Sequence, residues 1–445
     1  MAILTEQEAR RIVEAVMERA TADDTRVNLV SLEGGNTRFA GNGVTTSGEV
    51  SNVEVTVTSA FGSRSGSAET NGIDDEAIAA VIARSEEAAR LAPEDPEYVP
   101  PMESADYPRP SAYFESTAAH GPAERADAAA AAIAGASGRD TTIAGFLENY
   151  GVAYATGNSR GVFGYFPMTW IEYTNTVRTP DGSGSGWAGV RLHDAQGLDA
   201  AGMARIAAEK AVASRTVKPL EPGEYPVILE PVATAVLSGA LVGQMNARRA
   251  MEGRSYLSAP EGATKLGEQL VSPLVTIRTD PLHAEAPGRA WAGEQLPARA
   301  TTWFREGHVE SLQYDRYWAG RHGVDPVPGS TNLIMEGEDR SLEELIRGTE
   351  RGVLVTRFWY IRTLNPADLT LTGLTRDGTF WIEDGGIAHA VNNFRWNDSP
   401  VRVFERAEEM SRPVRVADED WVLTPSYVPA VRASAFHFAS VSQAV

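Results

Sequence analysis

The chain has 445 residues, of which 42% are hydrophobic and 22% are charged, a composition typical of a globular protein with about two or three domains. Aspartate and glutamate outnumber lysine and arginine by 60 to 40, and the net charge of -20 argues against binding to nucleic acid or to an anionic membrane surface. Cysteine is absent, which excludes disulfides, thiolate nucleophiles and cysteine-ligated metal sites.

Residues 1–110 are predicted to form a small α+β unit. The chain begins without the basic and apolar regions of a signal peptide and has no apolar run of about 18 residues that could span a bilayer, so we expect a soluble, cytoplasmic protein. A capping box over Thr5–Glu8 predicts the first helix. Alternating apolar residues predict one strand that ends in a turn at Gly34–Gly35 and a second strand before Gly62. Another helix is predicted over Asp74–Leu91.

Residues 111–220 are predicted to form a second α+β unit. The stretch before it, residues 93–110, holds prolines among acidic residues and predicts a linker or an extended surface crossing. An alanine-rich helix is predicted over Pro122–Ala134, and strand-like segments with aromatic residues cover residues 141–192. A helix over Asp199–Ala213 closes this unit.

Residues 221–445 are predicted to form a β-rich C-terminal domain. It begins with a short buried strand at Val227–Leu229 and a helix that starts at Pro231, a residue suited to the first helical turn. Strands and turns dominate after about residue 270, and a capping box predicts one helix over Ser341–Gly348. The predicted fold class is α+β, with two small α/β units in the N-terminal half and a β-rich domain after them.

The clearest hairpin of the C-terminal domain is predicted over Leu369–Glu383, because Asp377–Gly378 supplies the positive-φ positions that a two-residue turn needs. A further turn is predicted at Asp384–Gly386. The larger aromatic residues of this half are predicted to be sheet core rather than a ligand platform. They are Trp303, Trp359, Tyr360, Trp381 and Trp396.

Residue spacing alone predicts no metal site. The seven histidines are His120, His193, His283, His308, His322, His389 and His437. None lies at helical spacing from another, and none is followed by glutamate, as a hydrolytic zinc helix requires. A rearranged site could form from His308, His322 and His389 if the fold brought them together. The acidic run Glu336, Glu338 and Asp339 lacks calcium-loop spacing and predicts a solvated turn.

A serine-hydrolase sequence pattern is present, but without the strand and helix that normally flank it. Residues Gly182–Gly186 read G-x-S-x-G, the pattern of a nucleophile on a tight strand-to-helix turn. No buried strand leads into this stretch and no helix leads out, so a flexible hairpin tip is predicted. No catalytic residue is predicted on these grounds.

Several separated segments resemble the TldD/TldE (PmbA) metallopeptidase family. Pro226–Gln244 is similar to the start of the C-terminal domain in that family. Three later segments are similar to the TldE branch in particular, and they are Gly352–Tyr360, Leu369–Thr379 and Val391–Pro400. Two segments of the front half also fit, Asn36–Arg38 and Ala68–Asn71. The resemblance spans nearly the whole chain, and its segments occur in the expected order.

In the catalytic TldD branch, the helix after this strand carries His-Glu-x-x-x-His, which supplies two zinc ligands and a general base. The resemblance places Gly239 at the first histidine, Ala240 at the glutamate and Gln244 at the second histidine. Glycine and alanine cannot ligate a metal or accept a proton, and glutamine is a poor substitute for imidazole at zinc. The downstream cysteine ligand of that branch is also missing. We therefore expect no metal or catalytic residue in this chain, with zinc in a catalytic partner.

The same helix is predicted to carry a stripe of small residues at four-residue steps, Gly239, Gly243 and Ala247. Such a stripe allows close approach of another backbone, either within the chain or from a partner subunit. Gly243 and Ala247 are therefore possible partner-facing or chamber-facing residues, and Asn332 is a further one.

The resemblance implies a non-catalytic subunit that pairs with a TldD-like catalytic subunit and encloses unfolded peptides beside the partner's zinc. A second copy of this chain is the alternative partner. A different hypothesis is a homodimeric protein that binds a peptide or small molecule without hydrolysis. A third is an active hydrolase with rearranged histidine ligands. Neither nucleic acid nor a membrane is expected as a partner.

Overall fold

A computed structural model describes residues 3–419, 421–423 and 425–442 of the chain. The N-terminal half is built on one antiparallel six-stranded sheet, the front sheet, with strand order β3-β2-β1-β4-β5-β6. Its strands are β1 (Asp24–Ala40), β2 (Gly43–Phe61), β3 (Arg64–Thr70), β4 (Thr142–Asn158), β5 (Phe163–Arg178) and β6 (Ser185–Leu192).

The longer helices of this half cover one face of the front sheet. The helices are α1 (Glu6–Arg19), α2 (Asp75–Leu91), α3 (Glu115–Ala118), α4 (Pro122–Ala136) and α5 (Ala200–Ala213). Helices α1 and α2 pack on the apolar residues of β1 and β2, while α4 and α5 pack on β4 and β5. We call the opposite face of the sheet the inner face.

The two units predicted for the N-terminal half contribute strands to the same sheet. Strand β1 pairs with β2 on one side and with β4 on the other, so residues on both sides of position 110 are joined by backbone hydrogen bonds. Strand order depends on contacts distant in sequence, which local patterns do not reveal. The fold class and the β-rich C-terminal half are confirmed, and the numerical domain boundaries stay a prediction.

The C-terminal half contains two further sheets. Its strands are β7 (Val217–Lys218), β8 (Gly223–Leu229), β9 (Ile277–Thr279), β10 (Thr301–Arg305), β11 (His308–Val309), β12 (Leu333–Met335), β13 (Arg351–Asn365), β14 (Thr370–Glu383), β15 (Gly386–Val391), β16 (Phe394–Asp398), β17 (Ala407–Met410), β18 (Val414–Arg415), β19 (Ser426–Val428) and β20 (Val431–Val441). One sheet has the order β11-β10-β9-β12-β19-β18. In the other, successive pairing of β13, β8, β20, β16 and β14 returns to β13 and closes a barrel-like ring.

Shorter helices accompany these sheets. They are α6 (Pro231–Val242), α7 (Ala247–Met251), α8 (Arg316–His322), α9 (Leu342–Arg347) and α10 (Pro400–Glu405). The capping box predicted at Ser341 and Glu344 is present at the start of α9. Helix α6 lies in the largest apolar core of the chain, against β8, β13, β19 and α10. Among the described residues, no helix is both long and apolar enough to cross a membrane.

Two predicted turns lie inside continuous strands. Gly34–Gly35 sits in the middle of β1, where a side chain at Gly34 would meet the carbonyl oxygen of Asn149 at 2.0 Å. Asp377–Gly378 forms a bulge in β14 opposite β13, with φ angles of 55° and 133°. Both predictions were wrong because glycine suits a bulge or a close backbone approach as well as a turn. The predicted turn at Asp384–Gly386 is confirmed between β14 and β15.

The prediction that the large aromatic residues are sheet core holds only in part. Trp303 and Trp396 are fully buried. Trp359 and Tyr360 on β13 are 40% and 50% exposed, so for them the prediction was wrong. Trp381 is half-buried and packs on Tyr225.

Candidate functional site

Helix α6 carries the positions that the sequence aligns with a zinc motif. Glu230 precedes the helix and Pro231 occupies its first turn, while the residues from Val232 to Val242 are all buried. A helix that is apolar on all sides is stable only when surrounded by protein. Glu230 accepts a hydrogen bond from Lys210 (2.7 Å) and one from Thr356 (3.0 Å), which fixes the start of the helix.

The position aligned with the first histidine is closed by backbone. A Cβ atom added to Gly239 would lie 2.1 Å from the carbonyl oxygen of Trp421, far inside van der Waals contact. Ala240 is buried and offers no polar atom. The helix ends at Val242, so Gln244 lies beyond it in the following turn and is half-buried. These positions do not share one helical face.

The backbone over Gly239 belongs to a stretch that we call the cover segment, Val416–Glu419 and Trp421–Leu423. Val416 and Ala417 are buried, and Trp421, Val422 and Leu423 pack on the core around α6. Trp421 has a left-handed backbone, with φ of 73°. The cover segment therefore occupies the space into which a side chain at position 239 would project.

The cover segment is tied to the front sheet by polar contacts. The Arg191 backbone N–H donates to the Val416 carbonyl (3.2 Å), and its guanidinium contacts the Asp418 carboxylate (2.8 Å). The backbone N–H of Asp418 donates to the Glu172 carboxylate (3.2 Å). On the other side, Arg357 donates to Glu419 (2.6 Å). Arg357 thus joins the cover segment to β13.

Arg357 also neutralises a buried carboxylate. It donates two hydrogen bonds to one oxygen of Asp377, at 2.7 and 3.0 Å, and Ser185 of the front sheet donates to the other oxygen. The Asp377 side chain is 1% exposed, and the Arg357 guanidinium stacks over the Trp187 ring. The bulge in β14 therefore connects the C-terminal domain to the front sheet.

The residues at the motif do not fit a zinc ion. Gly239 and Ala240 supply no ligand atom, and zinc needs about three protein ligands. Within residues 3–419, 421–423 and 425–442, no group of three or more histidine, aspartate or glutamate side chains is placed to hold a metal. His308, His322 and His389 belong to β11, α8 and β15 and do not form such a group. The rearranged-ligand hypothesis thus has no support in the geometry.

The small-residue stripe is not one helical face. Gly243 ends α6 and is exposed, whereas Ala247 begins α7 and is buried. Asn332 is buried as well. It accepts hydrogen bonds from the Thr279 hydroxyl (2.7 Å) and the Asp280 N–H (2.9 Å), and donates to the Asp280 carbonyl (2.6 Å). Ala247 and Asn332 therefore do not lie at the surface of this chain, and a partner contact of Gly243 stays a prediction.

A row of charged residues crosses the inner face of the front sheet. Glu148 on β4 lies opposite Glu172 on β5, which lies opposite Arg191 on β6. Burial raises the pKa of Glu172 to about 7, the Arg191 charge opposes that rise, and the nearby Asp418 and Glu148 add to it. Burial also raises the pKa of Glu148. The Trp170 ring contacts the Tyr150 ring at an angle of 39°, and the Arg191 guanidinium lies over the Trp170 ring.

Local sequence patterns did not predict this row or the buried histidine beside it. His193 contacts the carbonyl oxygens of Thr169 (2.7 Å) and Pro287 (3.2 Å), one from each half of the chain. Burial lowers the pKa of His193 to about 4, while the two carbonyl oxygens act in the opposite direction. Alternation along single strands cannot show which residues become neighbours across the sheet.

Comparison with known proteins matches this chain to metallopeptidase-type sequences. Residues 222–440 match the family model described as PmbA/TldA metallopeptidase C-terminal domain. A metalloprotease of Methanothermobacter thermautotrophicus is 24% identical over 269 residues. That match covers 55% of this chain and 56% of the metalloprotease, so the chain aligns with little more than half of that relative.

Solved structures share the fold over nearly the full length. A proposed DNA gyrase modulator from Thermotoga maritima superposes with a TM-score of 0.83 at 17% identity, covering 98% of this chain and 100% of that one. TldE from Thermococcus kodakarensis superposes with a TM-score of 0.81 at 18% identity, covering 97% and 99%. At these identities the similarity establishes the fold.

Proposed function

This chain belongs to the TldD/TldE (PmbA) family of metallopeptidase-like proteins, as its sequence predicted, and we propose that it is the non-catalytic, TldE-like subunit of a two-component zinc peptidase. Its partner would be a TldD-like subunit that carries His-Glu-x-x-x-His. The partner's zinc would activate the water that attacks the peptide bond. This chain would shape the space around an unfolded peptide and supply no ligand.

The observation that carries the proposal is the closed position at Gly239. The carbonyl oxygen of Trp421 occupies the space that any side chain at position 239 would need. The cover segment that brings it there is held by Arg191 and Arg357. Restoring one ligand would therefore require movement of a whole segment as well as a change of residue. Such an arrangement supports a subunit whose role does not include metal binding.

A subunit that works in a pair needs a surface for its partner. The exposed aromatic patch, Trp359, Tyr360 and Leu364, projects from the hairpin of β13 and β14. The Arg376 guanidinium lies 4.1 Å from the Trp359 ring centre, and Arg362 lies 4.5 Å from that of Tyr360. Tryptophan, tyrosine and arginine are the residues most enriched at interface centres. We propose that this patch contacts the catalytic partner.

Substitution of the patch tests that contact. We expect Trp359→Ser with Tyr360→Ser to weaken association with the TldD-like subunit by about thirtyfold or more, since even one buried aromatic anchor contributes about 2 kcal/mol or more. Leu91→Ser, at an 80% exposed position at the end of α2, is the matched control. Equal affinities of the two variants in titration calorimetry would exclude the patch from the interface.

An open strand edge could receive the peptide. Strand β3 pairs with β2 only over Val55–Phe61. Within the described chain, the outer edge of β2 over Val44–Glu54, on the side away from β1, therefore has no neighbouring strand. Extended peptides commonly add to such edges through main-chain hydrogen bonds, with little dependence on sequence. We expect an unfolded peptide to slow hydrogen exchange in Val44–Glu54. Unchanged exchange there would assign the peptide to another part of the assembly.

Cleavage by the mixed subunits tests the proposed function as a whole. The purified chain is combined with its His-Glu-x-x-x-His homologue, and hydrolysis of an unfolded peptide is followed, with each protein alone as control. We expect cleavage by the mixture and none by this chain alone. Chelator-sensitive cleavage by this chain alone would refute the proposal. Peptide binding by a homodimer of this chain, with no effect on the homologue, would favour the binding-protein alternative.

A further inference from the structure

A cavity of about 470 Å³ lies where the front sheet meets a loop of the C-terminal domain. We call it the arginine cavity. Strands β1 and β2 form one wall, and the loop Arg289–Gln295 forms the other. The side chains that matter for its chemistry are those of Arg26, Asn28, Thr58, Arg289, Trp291 and Glu294.

The sheet wall presents its polar groups on one face. Arg26 lies directly opposite Thr58 in the pairing of β1 with β2, and Asn28 follows two residues later on β1. Because side chains alternate along a strand, these three project from the same face. Val27 and the other alternate residues of β1 are buried on the opposite face, under α1 and α2. The polar wall therefore belongs to the inner face of the sheet.

The loop wall is fixed by a buried glutamine. Glu294 and Gln295 both have left-handed backbones, with φ of 59° and 62°. The Gln295 side chain donates to the Thr156 hydroxyl (2.7 Å) and accepts from the Asn158 side-chain amide (3.0 Å). The backbone carbonyl of Gln295 accepts from the Tyr107 hydroxyl (2.9 Å). Two such residues in a row persist only when the surroundings determine them. The position of this loop against the sheet is thus well determined.

Two guanidinium groups in the cavity lack the partner that arginines usually have in this chain. Within the described residues, no hydrogen bond or ion pair is formed by the guanidinium group of Arg26, which is half-buried, or by that of Arg289, which is exposed. Carboxylates exceed basic residues by 60 to 40, so an unpaired arginine is not explained by a shortage of acids. Glu294 is acidic, but its carboxylate already accepts from the backbone N–H of Arg316 (2.9 Å).

We propose that the arginine cavity binds a carboxylate, and that this carboxylate is the C-terminus of an unfolded peptide. A guanidinium group matches the geometry of a carboxylate with two parallel hydrogen bonds. The Asn28 carbonyl oxygen accepts from Thr156 (2.9 Å), which leaves the Asn28 amide N–H groups for the last peptide unit. The Thr58 hydroxyl is shared with Ser67 (2.8 Å). Trp291 provides an apolar surface beside them. The choice of a peptide as the carrier of the carboxylate rests on the proposed function, whereas the preference for a carboxylate does not.

Calorimetric titration of the full chain tests this site without the catalytic partner. The probes are an alanine-rich peptide with a free C-terminus, the same peptide as C-terminal amide, and inorganic phosphate. We expect the free acid to bind at least about tenfold more tightly than either other probe, because a charge-assisted contact at the half-buried Arg26 accounts for that factor. Equal binding of acid and amide would overturn the proposal. Tighter binding of phosphate would show a general anion site and would overturn the assignment to peptides.

Variants locate the binding. We expect Arg26→Gln and Arg289→Gln each to weaken binding of the free acid by about tenfold, since each removes one charged donor. Arg26→Lys keeps the charge and retains part of the affinity even if the glutamine variant folds poorly. Arg347→Gln, at an exposed position on α9, is the control and leaves the affinity unchanged. Unchanged affinity in both cavity variants would place the carboxylate elsewhere. Cleavage by the mixed subunits is measured separately, so failure of the proposed function would be distinguishable.

Discussion

Helix α6 and the inner face of the front sheet lie on two sides of the same cover segment, and they differ in how they hold it. On the α6 side the contact is steric and apolar, because Gly239 leaves room for the Trp421 carbonyl. On the sheet side it is polar, through Glu172 and Arg191. The comparison shows that closure of the motif position depends on a missing side chain in one region and on charged residues in another.

The largest effect on stability is expected at the buried ion pair of Arg357 and Asp377, which contacts both the cover segment and the front sheet. Arg357→Met removes both guanidinium hydrogen bonds to the buried Asp377 carboxylate and leaves only Arg376, 3.7 Å away, which should lower the free energy of unfolding by about 3–5 kcal/mol. Arg351→Met removes an exposed pair with Glu383 and should lower it by less than about 1 kcal/mol. Urea denaturation measures both. Similar midpoints for the two variants would show that the Arg357 contacts do not connect the regions.

A smaller effect is expected on the apolar side. Gly239→Ala places a methyl group against the Trp421 carbonyl, and overpacking of this kind destabilises by about 1–3 kcal/mol. Gly243→Ala is the control, since Gly243 is exposed and ends α6 with a right-handed backbone. The Gly243→Ala variant should have nearly the same free energy of unfolding as the unmodified chain. Tolerance of alanine at both positions would mean that the cover segment moves aside easily.

The polar side should respond to pH. The pKa of Glu172 is raised to about 7 from an ordinary 4.5, so the protonated form is favoured in the folded chain. The protonated Glu172 side chain therefore contributes its full stabilisation of the folded chain below pH 4.5, and this stabilisation is lost as the pH rises through about 7. In Glu172→Gln the free energy of unfolding should no longer fall over this pH range. In the unmodified chain the fall is on the order of 1 kcal/mol for each unit of pKa shift. Thermal unfolding between pH 5 and 8 provides the comparison, with Glu87→Gln on the exposed face of α2 as control. A parallel profile in Glu172→Gln would assign the dependence to another group.

Local signals in the sequence predicted the helices well. The capping boxes at Thr5 and at Ser341 are present, and Pro231 begins α6. Each of these signals acts within one helical turn, so neighbouring residues suffice to determine it. Glycine was less informative. Gly34 and Gly378 were predicted to form turns, yet both lie inside long strands, Gly34 at a close approach to β4 and Gly378 in a bulge opposite β13.

The motif positions could be identified from the sequence, but their surroundings could not. The alignment with His-Glu-x-x-x-His showed that Gly239 and Ala240 lack ligand atoms. The atom that fills the space at Gly239 belongs to Trp421, which no pattern near the helix indicates. The row of Glu148, Glu172 and Arg191 likewise arises from the register of three strands. Such neighbours follow from tertiary packing and not from local periodicity.

Zinc binding by the purified chain tests the closed motif most directly. The chain is dialysed against zinc at neutral pH, and its metal content is measured beside that of the His-Glu-x-x-x-His homologue. We expect stoichiometric zinc in the homologue and none in this chain, because Gly239 and Ala240 offer no ligand and the Trp421 carbonyl fills the position. One zinc per chain that is lost in Gln244→Ala would show that the motif still binds metal and would contradict the account.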